Sequence, residues 1–162
     1  NFMLNIKTNK LYLIDFGFSK RYNYDGNHIE QSKISKIIGT PNFVSINVHK
    51  GIEPSRRDDI ESCIYIMIYM LFGKLFWDKE IDSKNMCLKK EQLTNSDKPL
   101  IPDFLKQLLI YVRALDFDEC PDYNEIIKVF DTVYKEMGFI SSTESAAESS
   151  TESAAESEED EE

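Results

Sequence analysis

Residues 54–73 read PSRRDDIESCIYIMIYMLFG, and this stretch decides the fold. Ser55, with Asp58 three residues later, is typical of a capped helix start, and Gly73 is suited to end the helix. Apolar residues between these ends cover nearly every side, so the pattern predicts a helix over Ser55–Phe72 at the centre of a core. A membrane span needs about 20 apolar residues. This run is shorter and begins with charges, which favours the buried helix over a membrane helix.

Hydrophobic spacing after this segment predicts further helices. Pro102 suits the first turn of one of them, and Gly138 follows the last as a stop signal. The predicted spans are Ser83–Leu93, Pro102–Leu115 and Tyr123–Met137. Residues 19–42 are polar without a clear period, and a loop of that length is usually functional or mobile.

The N-terminal residues predict a β-hairpin. Lys10–Ile14 is a short apolar run that predicts a buried strand, and Phe2–Leu4 predicts a shorter strand before it. The triplet DFG at 15–17 ends the run. A carboxylate at the end of a strand can chelate a metal ion bound to nucleotide phosphates, and Mg²⁺ takes few oxygen ligands from protein. Asn1, one hairpin upstream, is the candidate second ligand.

Composition and charge narrow the function classes. The chain has 162 residues and a net charge of −10, but nine of its 29 acidic side chains lie in 141–162. The remainder holds 20 acidic against 19 basic residues, so we do not expect direct nucleic-acid binding, which normally needs a basic patch. The three cysteines form no C-x-x-C pair, which disfavours a zinc site or a disulfide framework and favours a reducing compartment, cytoplasm or nucleus. Because the chain begins at Asn1 rather than Met, we expect it to be part of a longer protein.

The sequence changes character at residue 141. SSTESAAE at 141–148 recurs at 149–156, and SEEDEE closes the chain. We therefore expect a domain over 1–140 and a disordered Ser/Glu-rich repeat tail over 141–162. Five tail serines have an acidic residue three positions on, which resembles the sites of acidophilic kinases: Ser141, Ser145, Ser149, Ser153 and Ser157. A simple solubilising polyanion is the alternative, and both interpretations stay open.

Several motifs together resemble the large lobe of serine/threonine protein kinases, in the group of casein kinase I and the vaccinia-related kinases. NFML at 1–4 resembles the end of the catalytic loop, and LIDFGFSKRY at 13–22 the metal-binding segment with the start of the activation loop. GTPNFVSINVHKG at 39–51 resembles the hallmark of the group, with Ser45-Ile46-Asn47 where most kinases have Ala-Pro-Glu. The remaining motifs are SRRDDIES at 55–62, FGKLFW at 72–77, LDFD at 115–118 and PDY at 121–123. The resemblance spans residues 1 to about 139.

The resemblance implies roles for individual residues. Ile14 and Asp15 would contact the nucleotide, Asp15 by binding Mg²⁺ that bridges the ATP phosphates, and Asn1 would hold a second metal ion. Thr40 would hydrogen-bond the catalytic aspartate and favour a hydroxyl acceptor. Asp59 would brace the backbone of the catalytic loop, although an acidic residue at a helix start also simply complements the helix dipole.

Four basic residues are candidates for binding an anion or an acidic substrate: Lys33, Lys36, Arg56 and Arg57. The activation-loop arginine of the group corresponds to Ser32 here, which weakens the implied preference for phosphorylated or acidic substrates. The two arginines are also candidates for purely structural roles. His49 is interpreted as a polar residue of a short helix.

The resulting prediction is a mainly α fold, a protein-kinase large (C-terminal) lobe with a small β-hairpin at its nucleotide face, plus a disordered acidic tail. The implied function is ATP-dependent phosphorylation of protein Ser or Thr by the intact parent kinase, with ATP and Mg²⁺ as cofactors and no membrane association. The catalytic aspartate and the small lobe would lie upstream, so the chain alone is expected to be inactive. The alternative is a pseudokinase or truncated remnant that acts as a protein-binding module.

Overall fold

The computed structural model describes residues 1–95 and 100–138, which are mostly helical. The strands are β1 Phe2–Asn5, β2 Lys10–Leu13, β3 Asn23–Tyr24 and β4 Asn27–His28. The helices are α1 Ile46–His49, α2 Arg56–Phe72, α3 Ser83–Asn95, α4 Asp103–Ala114 and α5 Tyr123–Glu136. The chain divides into two compact units, one over Asn1–Pro121 and one that begins at Asp122. None of the helices in the described ranges is long and apolar enough to cross a membrane.

The N-terminal hairpin forms where the sequence predicts it, but it is not buried. β1 and β2 pair antiparallel, with Phe2 opposite Leu13 and Asn5 opposite Lys10. Every residue of both strands is exposed, and Leu11 keeps 61% of its surface accessible. The prediction of a buried strand is therefore wrong, because an apolar run specifies an extended segment but does not specify an element that covers it.

The start and end of α2 follow their local signals. Ser55 is the N-cap, and its backbone N–H donates to Asp58 Oδ2 at 2.8 Å, which completes the capping box. Gly73 takes a left-handed conformation, φ 68°, and its N–H donates to the Tyr69 carbonyl at 2.8 Å. The predicted helix over Ser55–Phe72 is confirmed.

The core of the first unit forms where α2 packs against α4. Ile64, Tyr65 and Ile68 of α2 have no accessible surface, and neither do Leu105 and Leu109 of α4. Burying an aliphatic side chain of this size contributes about 1.5–3 kcal/mol. The last turn of α2 is exposed instead, as its residues Tyr69, Met70, Leu71 and Phe72 show. The buried residues of α2 are Asp58, Glu61, Ile64, Tyr65 and Ile68, which lie on one face, so the prediction of burial on nearly every side is wrong.

A buried ion pair joins three of the helices. Arg113 of α4 donates through Nε and Nη2 to Glu61 Oε1 of α2, at 3.0 and 2.9 Å. The same guanidinium donates to the Lys90 carbonyl of α3 at 3.1 Å and to the Tyr65 hydroxyl at 2.9 Å. Burial, followed by the charge of Glu61, raises the pKa of Tyr65 well above its usual value. Because Arg113 bonds to residues of both α2 and α3, the network fixes the relative positions of α2, α3 and α4.

The second unit is described through α5 alone. Asp122 is its N-cap and accepts a hydrogen bond from the Glu125 N–H at 3.0 Å. Gly138, with φ 79°, follows the helix as the sequence predicts. The predicted domain end at residue 140 and the predicted disordered tail over 141–162 lie outside the described residues.

Candidate functional site

The β1–β2 hairpin brings Asn1 and Asp15 to its open end. The Ile14 N–H donates to the Asn1 carbonyl at 2.8 Å, which extends the β1–β2 register by one residue beyond Phe2 and Leu13. Asn1 therefore lies opposite Ile14, and Asp15 is the next residue along the chain. All three residues are exposed. The two residues predicted to bind metal thus lie at the same end of the hairpin, although 13 residues separate them in the sequence.

Asp15 adopts an unusual backbone conformation. Its φ is 61°, in the left-handed region that residues other than glycine, asparagine and aspartate rarely enter. Its Oδ1 accepts a hydrogen bond from the Gly17 N–H at 3.2 Å. This local bond orients the carboxylate at the point where the chain leaves β2, and the carboxylate stays open to solvent. Backbone conformations of this kind are concentrated at functional sites.

Thr40 lies at the start of a turn. Its carbonyl accepts hydrogen bonds from the N–H groups of Phe43 and Val44, at 2.8 and 3.2 Å. The residue before it, Gly39, has φ 105°, and a Cβ at that position would lie 3.1 Å from Val44 Cγ1. The turn therefore requires glycine at 39. Thr40 is exposed, and among the described contacts none connects it to Asp15.

Asp58 connects α1 to α2. Its Oδ1 accepts from Ser45 Oγ at 2.5 Å and from Asn47 Nδ2 at 3.0 Å, while its Oδ2 accepts from the Ser55 N–H. Asp58 is buried, with 2% of its surface accessible. Ser45 and Asn47 are the first and last residues of the Ser-Ile-Asn motif. The carboxylate therefore fixes that motif against the start of α2.

Asp59, the predicted brace, has a different environment. Its side chain is exposed, although burial of part of the carboxylate, followed by the charge of Asp58, raises its pKa. A raised pKa means that the charged form is disfavoured in the folded protein. Within residues 1–95 and 100–138, no salt bridge pairs Asp59 with a cation, and its predicted role stays a prediction.

The four basic residues predicted to bind an anion do not form one cluster of free charges. Arg56 Nη2 donates to the Asp118 carbonyl at 2.5 Å, and its guanidinium lies 4.8 Å from the centre of the Tyr22 ring. Arg57 Nη1 donates to the Leu115 carbonyl. Both arginines therefore connect α2 to the turn that follows α4. Lys33 pairs through its backbone with Ile52, and Lys36 lies further along the same loop; both are exposed. Anion binding by these four residues stays a prediction.

Comparisons with known proteins show similarity to protein kinases. Residues 1–71 match the family described as fungal protein kinase. Over 139 residues the chain is 37% identical to casein kinase I homolog 2 of Schizosaccharomyces pombe, an alignment that covers 80% of this chain and 32% of that relative. The chain therefore resembles the casein kinase I-like protein kinases. It spans about a third of the length of the curated relative that it matches.

The hairpin end of this chain offers the donor set that Mg²⁺ prefers. The Asp15 carboxylate and the Asn1 side-chain amide supply hard oxygen atoms, and both side chains are open to solvent. Mg²⁺ is usually bound by one or two protein oxygens together with waters and substrate phosphates. The described residues contain no group of three or more His, Cys, Asp or Glu side chains that could hold a metal ion by themselves. The residues therefore fit a metal ion that arrives with a nucleotide.

Sequence reasoning missed two buried charges of this chain. Asp58 was interpreted as a helix cap, which it is, but its bonds to Ser45 and Asn47 depend on a contact with α1 that the capping pattern does not predict. Lys90 has no accessible surface. Because it follows Lys89 in a polar stretch, no sequence signal separates it from the exposed lysines of α3.

Proposed function

We propose that this chain forms the metal-binding and substrate-side part of the large lobe of a serine/threonine protein kinase. In this proposal the parent protein transfers the γ-phosphoryl group of ATP to a serine or threonine of a protein substrate. Similarity to casein kinase I-like protein kinases supports this activity. The mostly helical architecture with small hairpins is compatible with a kinase large lobe.

A single observation carries the proposal: the β1–β2 register places Asn1 next to the segment that leads into Asp15. In kinases an asparagine of the catalytic loop and the aspartate of the D-F-G triplet hold the metal ions that neutralise charge on the transferring phosphoryl group. A backbone register is enough to bring the two residues to the same end of the hairpin. The arrangement is therefore built into this chain and does not depend on a separate lobe.

The proposed role of each site residue follows from its place in the fold. Asp15 and Asn1 hold the metal ions at the open end of the hairpin, and Ile14 supplies an apolar surface next to them. Bound Mg²⁺–ATP supplies the phosphoryl group and the charge that stabilises it. Thr40 is exposed at the start of its turn and is available to contact the acceptor substrate. Asp59 projects from the start of α2 with a disfavoured charge, and a backbone N–H from a catalytic loop would satisfy it.

The decisive test compares two aspartates with the same backbone conformation. Asp15 and Asp25 are both exposed and both left-handed, with φ 61° and 51°. Asparagine tolerates this conformation, so Asp15→Asn and Asp25→Asn remove a charge without straining the backbone. In the parent protein, we expect Asp15→Asn to lower kcat/KM for a protein substrate roughly a hundredfold or more. Asp25→Asn should leave it within about twofold.

Transfer that survives Asp15→Asn would refute the role given to Asp15. We expect residues 1–162 alone to transfer no phosphate, because transition-state stabilisation also needs a lysine and a base from other segments. If the parent protein with an intact Asp15 transfers no phosphate but binds a protein partner, the alternative of a binding module replaces the kinase proposal. All three cysteines, Cys63, Cys87 and Cys120, are free, which supports a reducing compartment, cytoplasm or nucleus, for the parent protein.

A further inference from the structure

Lys90 of α3 is a charged side chain without any accessible surface. An isolated ammonium group in such a place is costly, so each of its donors must find an acceptor. Its neighbours in the core are aromatic: Nζ lies 4.7 Å from the centre of the Tyr65 ring and 5.2 Å from that of Trp77. Contact of a cation with the faces of two rings stabilises the charge where water is excluded.

All three acceptors of Lys90 come from one segment of the chain. Nζ donates to the Val44 carbonyl at 2.7 Å and to the Pro41 carbonyl at 2.9 Å. The third contact is His49 Nε2, at 2.9 Å. These residues precede Lys90 by 41 to 49 positions, so the lysine connects α3 to the turn after Thr40 and to the end of α1.

The Thr40–Val44 turn has further attachments: Asn42 Nδ2 donates to Asp78 Oδ1 at 3.2 Å, and the Phe43 ring packs edge-on against Tyr69. Within the turn, the Thr40 carbonyl accepts from Phe43 and Val44. From the core, Trp77 Nε1 donates to the Asn42 carbonyl at 2.9 Å. Lys90 and Trp77 together therefore bind the carbonyls of Pro41, Asn42 and Val44 from the inner side. Thr40 remains exposed at the outer end of the turn.

His49 completes the arrangement. Burial, followed by the charge of Lys90, lowers the pKa of His49 to about 4, so the imidazole is neutral at physiological pH. Its Nδ1 lies 2.8 Å from Ser83 Oγ at the start of α3. Burial lowers the pKa of Lys90 to about 7, against the opposing effects of Glu61 and Cys87, while Arg113 lowers it further. A protonated Lys90 donates to His49 Nε2, and a neutral one accepts from the other tautomer, so both states keep the contact.

We propose that Lys90 is a positioning residue that fixes the Thr40–Val44 turn to α3 and so sets the position of Thr40 relative to the acceptor substrate. The geometry that supports this is the convergence of two turn carbonyls and one imidazole on a single buried ammonium group. The link to substrate rests on the proposed kinase function. The attachment of the turn to α3 does not rest on the kinase function, and it can be tested with residues 1–162 alone.

The first test measures the turn directly. We expect Lys90→Met, which keeps the length of the side chain and removes its donors, to accelerate hydrogen exchange of the Phe43 and Val44 amides roughly tenfold or more. Exchange in the middle of α2 should change much less. Trp77 is the single tryptophan of the chain and is fully buried, so its quenching by acrylamide should increase in the same variant. The matched control is Lys84→Met, an exposed lysine of the same helix, which should change neither readout.

Exchange rates at Phe43 and Val44 within about twofold of wild type in folded Lys90→Met would overturn the proposal. If Lys90→Met does not fold, Ser83→Ala provides the same readout, since it removes only the hydroxyl that orients His49 and thereby Lys90. We then expect exchange at the two amides to increase roughly two- to threefold with an unchanged melting temperature. Unchanged exchange in folded Ser83→Ala would overturn the proposal in that case.

The second test separates positioning from general stability. In the active parent protein, Lys90→Met should raise KM for a protein substrate or lower kcat by roughly tenfold, while KM for ATP stays within about twofold. An equal relative loss of kcat/KM for ATP and for the protein substrate would show that Lys90 has only a structural role. A wild-type parent protein without activity would remove the kinase proposal, whereas the exchange experiment would still decide the role of Lys90 in the turn.

Discussion

Replacing Asp58 by asparagine is expected to destabilise the first unit by about 3 kcal/mol. The substitution keeps the shape of the side chain and removes its charge. One of its two acceptor oxygens becomes an amide group that can only donate. Ser45 Oγ, Asn47 Nδ2 and the Ser55 N–H all donate to the present carboxylate, so at least one of these donors loses its acceptor.

The magnitude follows from these contacts. Hydrogen bonds to a charged group contribute about 1.5–3 kcal/mol each, and leaving a buried donor unsatisfied costs about 1–3 kcal/mol. The start of α2 also loses a negative charge that complements the helix dipole, worth roughly 0.3–1 kcal/mol. Because Asp58 is 2% accessible, water cannot replace the lost acceptor. For a unit of this size the melting temperature should fall by roughly 10 °C.

The assay is urea unfolding at pH 7, followed by far-UV circular dichroism, with Asp59→Asn as the matched control. Asp59 is the next residue and undergoes the same chemical change, but its pKa is raised by partial burial and by Asp58. A raised pKa means that the charge of Asp59 opposes folding at pH values above it. We therefore expect Asp59→Asn to be neutral or slightly stabilising. A loss below about 1 kcal/mol for Asp58→Asn, or an equal loss for both variants, would refute the reasoning.

Three further predictions concern the core. Ile64→Asp should unfold the first unit, because it places an unpaired charge at a site without accessible surface. Met70→Asp, on the exposed last turn of the same helix, should shift the melting temperature by only a few degrees. Equal shifts for the two variants would show that α2 is not central. Arg113→Met should cost about 3–5 kcal/mol in urea unfolding, since it leaves Glu61 charged and buried without its partner, and a loss below about 1 kcal/mol would contradict the role of this pair. The pKa of Lys90 is lowered to about 7 in the folded protein, against 10.5 in the unfolded chain. Between these pH values the unfolded chain keeps the proton and the folded protein loses it. The free energy of unfolding should therefore rise by about 2 kcal/mol from pH 7 to pH 9. Lys90→Met should lose that increment, and an unchanged pH dependence in the variant would contradict the assignment.

Much of the candidate site could be predicted because its signals are local. The capping pattern of Ser55 and Asp58 and the stop at Gly73 predict α2 to within a residue, since both depend on contacts inside one helical turn. The hairpin that brings Asn1 to Asp15 likewise depends on two short strands and the turn between them. Motifs of this kind carry the family resemblance as well.

The amino-acid sequence by itself determined the bounds of α2, the hairpin that brings Asn1 to the D-F-G segment, and the resemblance to protein kinases. Burial was decided only by the tertiary structure, because it depends on residues that are distant in the chain. An apolar run at β2 remains exposed, whereas Lys90 in a polar stretch is fully enclosed. Lys90 is enclosed because carbonyls 46 and 49 positions earlier, together with two aromatic rings, meet around its ammonium group. No periodicity in the sequence predicts these contacts, since they arise from the packing of α3 against α1 and the turn that precedes α1.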